Sequence, residues 1–229
     1  MNRITGVVRM YARDKWGWFF LPWIIMGSSF VINLIIAGTL SDEPLRTGGL
    51  ASIFIYMMVA GIVGASQSFP FAIGFTVRRK DFLLGTLAMM GGVSLISSVI
   101  ILLLRAIESG TDGWGVDLRF FDISYLNEGN VVAQWWVLFS FMLHMFALGF
   151  VISSIHRRFG RAGIITAMIL VMLAVTIGLF LIGYFDRWED IGNWLKDNPP
   201  TAAEFSSWLA PVTTVYALAT YAMLRKATV

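Results

Sequence analysis

The sequence lacks cysteine altogether and has little charge, and each shortage excludes a class of protein. Without cysteine the chain can form neither a disulfide nor a thiolate metal site. Charged residues make up 14% of the chain, whereas a soluble globular domain carries about 25%. The phosphate-binding pattern GxxxxGK[ST] and the zinc-protease pattern HExxH are also missing. We therefore expect no cofactor or metal in this chain and no ATP hydrolysis by it.

Long uncharged segments are what the sequence has instead. Six of them, 20 to 31 residues long, contain no Asp, Glu, Lys or Arg. A helix needs about 20 apolar residues to cross the hydrocarbon core, and barrel strands would alternate apolar and polar residues. The sequence therefore predicts an all-α membrane protein with six transmembrane helices, at about 17–40, 49–69, 83–104, 131–155, 162–185 and 205–224.

The charges are divided unequally between the two sides of this predicted bundle. Six crossings place both termini on one side, which then holds twelve cations and two anions; the other side holds five cations and twelve anions. Lys and Arg concentrate in cytoplasmic loops. The pattern predicts a multi-pass protein with both termini in the cytoplasm. Orientation and contact with lipid phosphate account for the cations, so no nucleic-acid partner is expected.

The chain divides into two parts. Residues 1–16 form a predicted amphipathic helix on the cytoplasmic membrane surface, because apolar residues recur there at helical spacing. Residues 17–229 form the transmembrane domain, with outer loops 105–130 and 186–204. The second outer loop contains another predicted amphipathic helix, which starts near Trp188 and is ended by the prolines at 199 and 200.

A few polar residues fall inside the predicted crossings. Ionisable residues within membrane helices are functional candidates by default, but they also form hydrogen bonds between helices. The candidates for lining a translocation path are Asn33, Ser66, Gln67 and His144. Ser66 and His144 also suggest an alternative function, an intramembrane enzyme, if the two side chains meet. Small residues at four-residue spacing, such as Gly61 and Ala65, predict close helix packing.

The short cytoplasmic loop 70–82 is unusual because it is both apolar and basic. We expect Pro70 to end the second helix, and a new helix to begin after Thr76 with the basic triplet in its first turn. An apolar ridge beside cations is typical of a surface that docks on a membrane or on another protein. The residues of this surface are Phe71, Ile73, Phe75, Val77, Arg78, Arg79, Lys80 and Asp81.

The stretch FPFAIGFTVRRKDFLLGT resembles the loop after the second helix in small six-helix permeases of bacterial ABC exporters, of the type-two superfamily. The matching residues are Phe69, Pro70, Phe71, Ala72, Gly74, Arg79, Lys80, Phe82, Gly85 and Thr86. The sequence departs from the family pattern at Thr76 and Arg78, where a small residue and a Ser or Thr are common.

The resemblance implies a membrane subunit of an ABC transporter in the bacterial plasma membrane, with loop 70–82 as the coupling helix. The implied partners are two copies of an ABC ATPase, which bind ATP and Mg, a second permease subunit that is identical or related, and membrane lipid. The implied cargo is an amphipathic drug, a peptide or a lipid. A non-transporting accessory or sensor subunit is the other alternative.

Overall fold

The computed structural model describes residues 3–40, 44–123, 125 and 129–226. Almost all of them are helical. Two π-helical turns, Trp16–Phe20 and Gly64–Ser68, join neighbouring helices. The helices are α1 (Arg3–Arg13), α2 (Leu21–Leu40), α3 (Ala51–Val63), α4 (Phe69–Gly74), α5 (Arg79–Gly110), α6 (Val131–Tyr184), α7 (Trp188–Asp197) and α8 (Ala202–Lys226). Two short strands, β1 (Leu45–Arg46) and β2 (Leu118–Arg119), pair in parallel.

Helix length and composition confirm a helical membrane protein. Within the described ranges, four helices are long and apolar enough to cross a membrane: Trp16–Thr39, Ala51–Gly74, Arg79–Gly110 and Val131–Tyr184. The last is 54 residues long, and Gly160 interrupts it with a φ of 67° and a ψ of −159°. This positive φ is accessible to glycine at little cost, so α6 consists of two straight segments, 131–159 and 161–184.

Contacts between elements define two ends of the molecule. One end, here the basic end, comprises α1, residues 69–82, residues 156–161 and the end of α8. The other, the acidic end, comprises residues 44–50, 105–123, 125, 129–130 and 185–204. At the acidic end β1 pairs with β2, and the Tyr125 hydroxyl donates to the Pro200 carbonyl at 3.1 Å.

Segment 131–159 of α6 is the centre of the bundle. Helix α8 runs alongside it in the same direction, since Trp136 bonds to Ser207 near the acidic end and Arg158 bonds to Ala222 near the basic end. Helix α3 crosses it at a pair of glycines. A Cβ on Gly61 would lie 2.2 Å from the Phe146 carbonyl oxygen, which confirms the close packing that small residues predict here.

The surface of the bundle is uneven. Segment 161–184 is exposed along most of its length, as expected of a helix that faces lipid or another subunit. Helix α1 lies against α5, where Val7 sits so close to Gly85 that an added Cβ would be 2.6 Å from the valine. Trp18 is buried between Tyr11 and Phe146.

The expected end of the second helix is wrong. Pro70 lies in the first turn of α4, and the helical path that begins with α3 continues through it to Gly74. Proline is tolerated in the first turn of a helix, and the Ser66 carbonyl, to which Pro70 cannot donate, accepts from Arg157. Loop 156–161 is also shorter than expected, because only Gly160 departs from helical geometry. Helix α7 begins at Trp188 and ends before the prolines, as predicted.

Candidate functional site

The candidate site is residues 69–82 at the basic end, here called the coupling segment after the role predicted for loop 70–82. Its apolar residues divide into two sets. Phe71 and Phe75 are exposed, with rings in edge contact at a centroid distance of 4.8 Å. Ile73 and Val77 are half-buried and pack against the core. Of the four apolar residues predicted to form a docking surface, two, Phe71 and Phe75, are therefore exposed.

The chain reverses direction tightly after this ring pair. The amides of Phe75 and Val77 both donate to the Ala72 carbonyl, and Thr76 has a φ of 58°. Helix α5 then starts at Arg79, close to the predicted start. Asp81 lies in its first turn, where the N-terminal end of the helix dipole favours a carboxylate. The ring pair is thus presented by a closed, hydrogen-bonded turn.

The basic triplet does not act as one patch. The guanidinium of Arg79 donates to the carbonyls of Leu224 (3.0 Å) and Arg225, which lie in the last turn of α8. Unpaired carbonyls and the negative end of the dipole both favour a cation at that position. Arg78 and Lys80 are exposed. Within the triplet, the half-buried Arg79 therefore differs from its two exposed neighbours.

A second arginine meets the segment at its start. Pro70 has no N–H for the carbonyl four residues back, that of Ser66, and Arg157 of α6 donates to this carbonyl at 2.9 Å. The carbon at the centre of the same guanidinium lies 5.2 Å from the ring centroid of Phe69, within range of a cation–π contact. Phe69 is fully buried and meets Phe82 of α5 edge-on.

Helix α1 makes a third connection, through the start of α5. The Tyr11 hydroxyl lies 3.1 Å from the Thr86 hydroxyl. Burial raises the pKa of Tyr11 to about 12, so the phenol stays protonated at neutral pH and can donate to Thr86. A cavity of about 270 Å³ separates α1 from α4, lined by Met10, Tyr11, Asp14, Trp18, Gln67, Ser68 and Phe71.

The polar residues predicted to line a path are dispersed. Asn33 donates to the Ser29 carbonyl of its own helix, and Gln67 lines the cavity beside α1. His144 bonds through Nδ1 to the Thr213 hydroxyl of α8 at 3.0 Å. It therefore makes the bond to a neighbouring helix that was one of the two interpretations of the sequence.

Ser66 and His144 are not brought together. The Ser66 hydroxyl donates within its own turn to the Val63 carbonyl, and Ser66 lies at the level of Arg157. His144 is thirteen residues from Arg157 along α6, which at 1.5 Å per residue is about 20 Å. The geometry gives no support to a Ser–His catalytic pair.

Two important residues were missed by sequence reasoning. Arg157 was counted as one of several orienting cations in a loop. Glu108 was placed in an acidic outer loop, but its fully buried carboxylate accepts from three backbone amides and one indole, those of Phe120, Phe121, Asp122 and Trp114. The sequence offered one indication that Arg157 belongs to the bundle: it follows His144 on the same helix. It offered no indication that Glu108 is buried.

Comparison of the chain with protein-family models, curated proteins and solved structures found no match.

Proposed function

We propose that the chain is the membrane subunit of an ATP-driven exporter of the ABC type, with α4 as the helix that docks into a separate ATPase. The chain would cross the membrane six times, with both termini in the cytoplasm of a bacterial cell. Two ATPase subunits would bind ATP and Mg and supply the energy. This chain, together with a second permease subunit, would supply the path and the lever that opens it.

The proposal of six crossings rests on the alternation of contacts between the two ends. The break at Gly160 allows α6 to count as two crossings, and each of its segments, 131–159 and 161–184, exceeds the roughly 20 residues needed. Helix α8 contacts the acidic end at Ser207 and the basic end at Leu224. The three membrane-length helices before α6 are Trp16–Thr39, Ala51–Gly74 and Arg79–Gly110. With them, that makes six passages between the ends.

The sidedness follows from charge. The excess of Arg and Lys at the basic end matches the bias of cytoplasmic loops. An ATPase that uses cellular ATP must also approach from the cytoplasm, so the segment that it contacts has to lie on that side. The exposed Phe71 and Phe75 lie at this end.

The observation that carries the proposal is the exposed ring pair on a segment that is connected to the rest of the bundle. An aromatic pair that faced only lipid would need no such connections. Residues 69–82 are instead linked to α6 through the contact of Arg157 with Phe69 and to α8 through Arg79. Just beyond the segment, Thr86 of α5 links it to Tyr11 of α1. A force applied to the rings would reach three other helices.

The cargo class follows from the resemblance. Amphipathic drugs, peptides and lipids could all enter from the bilayer, and segment 161–184 presents an exposed apolar surface to it. The dispersed polar residues of a single chain fit a path that is completed only when a second subunit is present. That second subunit would be identical or related to this chain.

The test is to replace the ring pair and measure association with the ATPase. Buried aromatic anchors usually dominate interface energies, so Phe71→Ala and Phe75→Ala should each cost about 1–3 kcal/mol of binding. Co-purification of an ABC ATPase with the membrane subunit, and ATP hydrolysis stimulated by cargo, should both fall. The chain should still fold, because both rings are exposed.

Phe159→Ala is the matched control, since Phe159 is an equally exposed phenylalanine at the same end but outside the segment. It should leave association unchanged. Wild-type association in both Phe71→Ala and Phe75→Ala would contradict the docking assignment and leave a lipid contact as the function of the rings. Loss of association in all three variants would contradict it as well.

A further inference from the structure

The joint between α3 and α4 is the point where the coupling segment can change its angle to the bundle. The π-helical turn Gly64–Ser68 ends where α4 begins, and Pro70 follows in the first turn of α4. Sharp bends in helices occur at prolines and at π-helical turns, and such turns are frequent at functional sites. Both features coincide here within seven residues of chain.

Arg157 holds both sides of this joint at once. Its Nη1 donates at 2.9 Å to the carbonyl of Ser66, which belongs to the π-helical turn. The guanidinium also lies over the ring of Phe69, the first residue of α4. A planar guanidinium can donate along its edge and stack with its face at the same time, which a lysine cannot do.

The arginine is not locked by a complete set of bonds. Its Nε is buried and makes no hydrogen bond with any residue that the structure describes. When α4 rotates, the Nε–H can therefore replace the Nη1–H as the donor to a carbonyl. A guanidinium whose N–H groups were all bonded would resist this rotation. The next residue, Arg158, points to a different element and donates to the Ala222 carbonyl of α8.

We propose that Arg157 is a positioning residue that transmits the angle of α4 to segment 131–159 of α6, beyond merely satisfying the carbonyl that Pro70 leaves unpaired. Its role in transport rests on the function proposed above. Its role as a mechanical link is a property of this chain alone. When the partner moves the ring pair of Phe71 and Phe75, the guanidinium carries the movement to α6.

The first test measures a distance within the isolated chain. Spin labels on Thr76→Cys and Val132→Cys, in this cysteine-free sequence, report the angle between the coupling segment and the far end of α6. The helix between Val132 and Arg157 is rigid and nearly 40 Å long at 1.5 Å per residue. Arg157→Gln should broaden the distance distribution, and Arg158→Gln, which removes an equal charge at the same depth, should not.

Pro70→Ala separates transmission from simple hydrogen bonding. It supplies an N–H four residues after Ser66, so the carbonyl no longer needs the arginine. If Arg157 transmits movement, the double variant Arg157→Gln/Pro70→Ala should be thermally more stable than Arg157→Gln alone. It should still show the broad distribution of distances between the labels. A return to the parental distribution would overturn the proposal, as would a parental distribution in Arg157→Gln itself.

The second test adds the ATPase. In the wild-type chain, ATP should shift the distance between the two labels. Arg157→Gln should abolish this shift and lower cargo-stimulated ATP hydrolysis roughly tenfold, while the ATPase still co-purifies. An unimpaired shift in Arg157→Gln would overturn the proposal. If no ATPase binds the parent, the function proposed above fails, and the result of the first test still decides the role of Arg157.

Discussion

At both ends of the molecule, charged side chains form hydrogen bonds with main-chain groups, but the charges at the two ends have opposite signs. At the acidic end, one carboxylate, that of Glu108, accepts from main-chain amides where the outer chain turns. At the basic end, Arg79, Arg157 and Arg158 donate to main-chain carbonyls. Each sign of charge fits the main-chain group that it bonds: the carboxylate accepts from N–H groups, and the guanidinium groups donate to carbonyl oxygens.

The difference lies in what each end leaves exposed. Glu108 is fully buried, and around it Phe120 and Phe121 are buried as well. The backbone there adopts positive φ at four successive residues, 112–115, a strain that persists only where the surroundings fix it. The basic end uses its bonds to hold a segment that presents two exposed rings. Around Glu108 the acidic end is closed, although α7 exposes Trp188 and Trp194; at the basic end Phe71 and Phe75 are exposed.

The largest effect expected from this comparison is in accessibility to a reagent that does not cross membranes. Single cysteines at Thr5 and Thr76 should be shielded in intact cells if the basic end faces the cytoplasm as proposed. Cysteines at Thr111 and Thr201, both exposed at the acidic end, should react fully. Labelling with an impermeant maleimide measures this, and reaction at Thr76 in sealed cells would reverse the topology.

The next effect is on stability at the acidic end. Glu108→Ala removes the acceptor of four buried or half-buried donors, and each unpaired buried group costs about 1–3 kcal/mol, so the total loss should exceed about 3 kcal/mol. Thermal unfolding in detergent measures it. The control is Asp112→Asn, an exposed acid of the same loop, which should change stability by less than about 0.5 kcal/mol. Equal effects of the two variants would show that only the loop's charge matters.

A smaller effect separates two neighbouring cations at the basic end. Arg79→Gln removes the donor to the last carbonyls of α8 and should lower stability by about 0.5–1.5 kcal/mol. Lys80→Gln removes an exposed charge and should be nearly neutral. Unfolding measurements on the pair decide whether the triplet is divided as the contacts indicate. A larger loss for Lys80→Gln would contradict that division.

The sequence predicted much of the architecture because its signals are local. The uncharged segments identify membrane helices, Trp188 and the prolines after it bound α7, and Gly61 marks a close helix contact. Pro70 did not end the helix as predicted. The Ser66 carbonyl, to which Pro70 cannot donate, accepts from Arg157, more than eighty residues away in the chain. No local pattern carries that information.

Composition alone could not distinguish residues of one type that make different contacts in the candidate site. Composition treats Arg79 and Lys80 as equivalent cations, and Phe71 and Ile73 as equivalent apolar residues. Only the packing separates the residue that caps α8 from the one that faces outward, and the exposed ring from the half-buried side chain. Packing also decides the place of Trp18: tryptophan is common at membrane interfaces, but this one is buried in the core.

The proposed docking role of the basic end is tested most directly by identifying what contacts the exposed ring pair in living cells. A photo-reactive phenylalanine analogue at Phe75 should crosslink to a protein that carries a nucleotide-binding P-loop, and the yield should change when cellular ATP is depleted. The same analogue at Phe159 should give no such product. Crosslinking at Phe75 to lipid alone, in cells that express the chain with its chromosomal neighbours, would contradict the claim that the basic end is a docking surface.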